Sequence, residues 1–272
     1  MLVVACAGCG GRGGSDDERT SVVASFYPLA YAAAEVGGGS IRVRNLTPPG
    51  AEPHDLEATP GDVQEIHEAD LVLLLGGGYQ PQLEDAAGDG EHVVPVLDTP
   101  GLDRLESRDV HVWLDPLRYA VLVKRIGDEL GSPDEAERLE RRLRSLDRAF
   151  EQGLADCARR EIVTNHAAFG YLADRYGLEQ IAITGSSPEG EPAPRDLEHA
   201  VDAVREARAT TVFVEPLVSA RVVEAVAREA GVQTAVLNPI EGLTKSEHAR
   251  GADYFSLMRA NLATLSEALS CR

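Results

Sequence analysis

Residues 132–158 read SPDEAERLERRLRSLDRAFEQGLADCA, and the rest of the chain arranges itself around this segment. Ser132 is a helix-capping residue, Pro133 suits a first helical position, and Glu135 completes a capping box. Leu139, Leu143, Leu146, Phe150 and Leu154 recur at spacings of three and four, one apolar stripe on an otherwise charged helix. About 25 residues at ~1.5 Å each span roughly 35–40 Å, enough to pass from one lobe to another.

On both sides of this helix the sequence alternates short β-branched runs with amphipathic stretches. Before it, strands are expected over 21–26, 41–46, 71–75 and 93–97, with helices over 29–36, 60–69 and 116–130. After it, strands are expected over 161–164, 180–184, 211–215 and 233–237, with helices over 168–176, 195–207, 219–229 and 253–269. Such alternation makes parallel sheets covered on both faces. The fold class is therefore α/β: two β/α lobes, 20–131 and 159–272, joined by the long helix at 132–158, with a ligand cleft between them. At 43% apolar residues, each lobe has the means to bury its own core.

The formal net charge of −19 argues against nucleic acid or an anionic membrane surface as partner, and it is compatible with a cationic ligand. Residues 1–19 stand apart. MLVVACAGCG is too short to span a bilayer and reads as the tail of a signal sequence, and GGRGGSDDERT as a tether. Cys6 or Cys9 would carry a lipid, with Cys6 favoured because Val3, Val4 and Ala5 resemble a lipobox. The competing reading is a disordered stub. Cys157 and Cys271 are either a disulfide, which export would permit, or two unpaired small hydrophobes.

Chemistry concentrates in four places. PHDLE holds His54 just past a strand, VTNHAAFGYL holds His166 at a strand end, and DVHVWLDP holds His111 in a β-prone segment before a capped helix. LNPIEGLT places Glu241 after another apolar run. In open α/β sheets ligands gather at the carboxyl ends of strands, so facing lobes would bring these residues into one cleft. Three imidazoles and one carboxylate suit one four-coordinate zinc site. A lone histidine is usually a satisfied core or surface residue; four such residues in one kind of setting reverse that expectation. His67, His92, His199 and His248 read as solvated. Asp115 could support His111, although helix capping already explains it; Glu57 could approach the site; Glu215 could line the cleft. LLLGGGYQP lacks the phosphate-binding spacings and reads as a flexible turn that could border the cleft, and neither a nucleophile elbow nor HExxH occurs.

PHDLEATPGDV, HVWLDP, IVTNHAAFGYL and VLNPIEGLT resemble, in this order, the motifs of the metal-binding solute-binding proteins of bacterial zinc and manganese ABC importers, over about residues 20–270. The resemblance implies two lobes on one backbone helix, with metal between them held by His54, His111 and His166. The fourth ligand varies in that family. Members with an aspartate place it where this chain has Asn238, whereas the LNP-x-EGLT pattern uses the glutamate, here Glu241. Many zinc members carry a long His/Asp-rich loop before HVWLDP, which residues 98–109 here do not provide. The implied protein is a zinc-type, extracytoplasmic, lipid-anchored monomer that hands Zn²⁺ to a membrane permease, and not an enzyme. The alternatives are the same fold serving manganese, and a three-histidine zinc hydrolase with Glu241 as general base.

Overall fold

The computed structural model describes residues 19–105, 109–185 and 194–272. The first half contains β1 (Thr20–Ala24), α1 (Tyr27–Gly37), β2 (Ile41–Asn45), α2 (Pro60–Glu68), β3 (Leu71–Leu74), α3 (Pro81–Ala87), β4 (Val93–Pro95) and α4 (Pro116–Glu129). The long helix is α5 (Pro133–Gly153). Beyond it come β5 (Glu161–Thr164), α6 (Gly170–Tyr176), β6 (Glu179–Ala182), α7 (Pro194–Glu206) and β7 (Thr211–Val214). The chain closes with α8 (Arg221–Ala230), β8 (Gln233–Val236), α9 (Lys245–Ala249) and α10 (Tyr254–Ala268). The strands form two parallel sheets, in the orders β2-β1-β3-β4 and β6-β5-β7-β8. The α/β class with two parallel-sheet lobes is as expected. The lipidation signal at Cys6 and Cys9 lies outside the described residues.

Alternate residues of each strand point to opposite faces, and the packing follows that period. Val22, Leu71 and Leu73 face inward to α1, α4 and α5, whereas Val23, Val72 and Leu74 face α2 and α3. In the second sheet Ile162 and Phe213 face inward, and Val163 and Val212 pack under α7 and α8. The inward cluster is shared by both lobes. It runs from Val22 and Phe26 through Leu139, Leu143, Leu146 and Phe150 of α5 to Ile162, Phe213, Tyr254 and Leu265. The lobes thus share a central interior with α5 as its spine, while each also keeps a separate cluster under its own outer helices.

The long helix differs from its expected form at both ends. The Ser132 side chain makes no cap bond, and its hydroxyl donates instead to the Leu130 carbonyl at 3.4 Å, so the expected capping box is absent. The helix stops at Gly153, where Leu262 of α10 comes close enough to leave little room for a side chain. The chain then turns so that Cys157 forms an antiparallel bridge and a disulfide with Cys271. α10 returns to the first lobe, where Tyr254 lies 4.7 Å from the Tyr119 ring and its hydroxyl donates to the Trp113 carbonyl at 2.6 Å. α3 and α9 were not foreseen.

Candidate metal centre

The sheets place their carboxyl-terminal ends toward one another. His54 lies in a short 3-10 turn (Pro53–Asp55) after β2 and His166 two residues past β5. Glu241 follows β8 by way of Asn238-Pro239-Ile240. His111 departs from expectation: it heads a 3-10 turn over Val112–Leu114 and is not in extended structure. A turn there lets Trp113 enter the core, where its indole N–H donates to the Pro239 carbonyl at 2.8 Å.

The four side chains converge, their potential ligand atoms lying within 4.8 Å of one another. Glu241 Oε1 is the hub. It accepts from His54 Nε2 at 2.8 Å and His111 Nε2 at 2.9 Å, with His166 Nε2 at 3.6 Å. The His111 and His166 Nε2 atoms stand 3.4 Å apart. Tetrahedral ligand atoms at ~2.0–2.1 Å from a zinc ion stand ~3.3 Å from each other, so shifts of about a few tenths of an ångström, outward for His54 and His111 and inward for His166 relative to Glu241, bring these pairs to that spacing. His54 keeps 14% of its side-chain exposure against 2% or less for the other three, so the route to solvent passes His54.

Behind two of the rings stand carboxylates. His111 Nδ1 donates to Asp109 Oδ1 at 2.6 Å, and His166 Nδ1 donates to Glu215 Oε2 at 2.7 Å. The same carboxylates accept from the backbone N–H groups of the histidines they hold, at 2.9 and 3.1 Å. Each ring is thereby fixed with Nε2 aimed at the centre, the arrangement that makes imidazole a well-directed ligand. Asp109 has its place because residue 170 is glycine: a Cβ there would collide with Asp109 Oδ2. Gln80 anchors the His54 turn, its amide donating to the Pro53 carbonyl at 3.2 Å and to Thr47 Oγ1 at 3.3 Å.

The electrostatics are those of a caged ion cluster. Burial lowers the affinity of His166 for a proton, but Glu215 and Glu241 outweigh it and push the imidazole up to about 10. His111 is raised likewise, burial being outweighed by Asp109 and Glu241. Burial also opposes ionisation of Glu241, yet hydrogen bonds from His111, His166 and His54 hold it well below the usual carboxylate range. Burial and the nearby Glu241 push the half-buried Glu52 carboxyl up to about 8. Without a cation, protons on imidazole balance the carboxylates; with one, those protons must leave.

Glu215 reaches the site as expected. Asp115 does not support His111; its Oδ1 caps α4 by accepting from Leu117 N at 2.8 Å, and its Oδ2 holds Arg118 at 2.7 Å. Glu57 is exposed. His67, His199 and His248 are exposed, but His92 is partly buried with its Nε2 unpartnered. The LLLGGGYQP turn borders the site as expected, through Tyr79 and Gln80; sequence reasoning missed Asp109 and gave those two residues no individual role. Tyr79 packs its ring 4.5 Å from His54. Asp109 also carried a visible signal, a carboxylate two residues before a histidine.

Two parallel-sheet lobes on one long helix, with an imidazole–carboxylate cluster buried between them, define a solute-binding protein of the metal-receptor class. The chain belongs to the ZnuA family, zinc-uptake complex component A, periplasmic, whose family model matches residues 22–268. It is 32% identical over 301 residues to the high-affinity zinc uptake system protein ZnuA of Bacillus subtilis strain 168, an alignment covering 99% of this chain and 94% of that protein. It is 33% identical to the zinc-binding lipoprotein AdcA of Streptococcus pneumoniae, covering 92% of this chain but 56% of that protein, and so spans about half of AdcA's length. The crystal structure of the Zn(II)-bound ZnuA-like domain of Streptococcus pneumoniae AdcA superposes with a TM-score of 0.79 at 32% identity, covering 92% of this chain and 99% of that one. Among the described residues, no helix is long and apolar enough to cross a membrane.

Proposed function

We propose that this chain is an extracytoplasmic receptor that binds one Zn²⁺ through His54, His111, His166 and Glu241 and delivers it to the permease of an ABC importer. The observation that carries the reading is the convergence of three Nε2 atoms on Glu241 Oε1, with Asp109 and Glu215 fixing two of the rings from behind. Three nitrogens and one carboxylate favour zinc over manganese, which prefers oxygen-rich sites. Glu241 Oε1 lies among the imidazole nitrogens, where a ligand belongs, and not to one side as a general base would; this favours a carrier over a hydrolase. Residues 20–131 and 159–272 would act as the two lobes around α5, and a monomer suffices because all four ligands come from one chain. A lipid on Cys6 or Cys9 would hold the receptor at the membrane. Metal analysis of the purified protein, followed by calorimetry with Zn²⁺, tests the reading: one zinc per chain is expected, and no high-affinity binding would sink it.

A further inference from the structure

Glu241 is aimed by an unusual piece of backbone. Ile240, next to it, is fully buried and has a φ of +57°. That region suits glycine or asparagine and is unfavourable for a β-branched residue. Something must hold it there, and the contacts name Asn238. Its Oδ1 accepts from Ile240 N at 2.8 Å, closing a turn around Pro239. Asn238 is itself clamped by Asn261 of α10, which accepts from its N–H at 2.8 Å and donates to its carbonyl at 2.7 Å. Its Nδ2 donates to Glu247 Oε1 at 3.2 Å. Each polar group of Asn238 is thus engaged away from the imidazole cluster.

We infer that Asn238 is a positioning residue for the metal-binding carboxylate: its side-chain amide holds Ile240 in the left-handed conformation and so keeps Glu241 aimed at the three imidazoles, setting how long the ion is retained. The inference rests on the zinc-binding reading above and deepens it. Without the amide, Ile240 relaxes toward extended backbone, and the chain direction at Glu241 changes with it. The ion then keeps its imidazoles but loses its only oxygen ligand.

The test mixes zinc-loaded full-length protein with excess chromophoric chelator and follows Zn²⁺ loss. Asn238→Ala is expected to speed that loss about 10–100-fold, the scale of other residues that orient metal ligands. Asn238→Ser is expected to recover part of it, because a hydroxyl can still accept, more weakly, from Ile240 N. Ile240→Gly is expected to lose zinc at the wild-type rate or more slowly, since glycine takes positive φ without resistance. Trp113, bonded to Pro239 inside the turn, adds a direct reading: Asn238→Ala should change its emission in the metal-free protein while far-UV circular dichroism stays unchanged. Wild-type retention in Asn238→Ala overturns the inference, as does equal loss in the Ala and Ser variants. Should Asn238→Ala fail to fold, Ile240→Gly decides: tenfold faster loss there assigns the control to side-chain packing and overturns it. A wild type that takes up no Zn²⁺ overturns the metal reading together with this inference, whereas a zinc-binding wild type matched by its Asn238 variants overturns this inference alone.

Discussion

At the level of single side chains, the inner and outer shells should separate by magnitude. His111→Ala removes a proposed ligand and should weaken Zn²⁺ binding by several kcal/mol; wild-type affinity in that variant would end the ligand assignment. Glu215→Ala leaves all four proposed ligands and removes only the brace on His166, so calorimetry should show a loss of about 10–100-fold. Protons give a third reading. The His166 imidazole lies at about 10 in the metal-free fold, against ~6.5 for an unperturbed histidine. A raised value means that this contribution to the stability of the metal-free protein is fully present below ~6.5 and lost as pH rises through about 10. Zinc runs the other way, because it must displace that proton. Its affinity should rise by at least about tenfold per pH unit from neutrality toward pH 10 and be far weaker at pH 5. Titrations in buffers of different ionisation enthalpy count the protons released at pH 7.5; a count of zero contradicts the histidinium cluster around Glu241.

Among the elements, the disulfide offers the cleanest separation of stability from binding. Cys157 precedes β5 while His166 follows it, so the bridge to Cys271 and the metal cluster lie beyond opposite ends of that strand. Replacing both cysteines by serine should cost about 2–4 kcal/mol of stability, read by urea denaturation, and leave zinc affinity unchanged; a weakened affinity would show that the site feels the far end of the sheet. The strands and most helices were legible because their signals are local: β-branched runs, and Pro at the start of α2, α4 and α5. α3 was hidden inside the glycine-rich GGGYQPQLEDAAGDG, although Pro81 marked its start. α9 was missed although Thr244 and Glu247 form a capping box, while the similar pattern at Ser132, which was read as one, does not. The convergence of His54, His111, His166 and Glu241 was readable because strand ends of facing sheets gather at one cleft. The contacts made by Gln80, Asn261 and Trp113 were not, since each joins segments far apart in the chain.

For the molecule as a whole, zinc should outcompete manganese in calorimetric titration at neutral pH, and a manganese affinity equal to or above that for zinc would favour the manganese reading instead. Loading should also stabilise the fold, by about 2.7 kcal/mol when free zinc is 100 times its dissociation constant. Several bonds tie the halves together around the site. Gly50 N donates to the Leu243 carbonyl at 2.7 Å, and Arg118 of α4 reaches Asp174 of α6 at 3.0 Å. Beneath them the apolar interior runs unbroken through α5 from one sheet to the other. Swinging the sheets apart would expose that interior to water at ~25 cal/mol per Å² of apolar surface. A carrier built this way is a closed hand without a wrist. On the proposed reading its cargo would leave through displacement of the small loops near His54 and Glu241, driven by the membrane partner that takes the ion, so the timing of delivery would belong to the receiver and not to the courier.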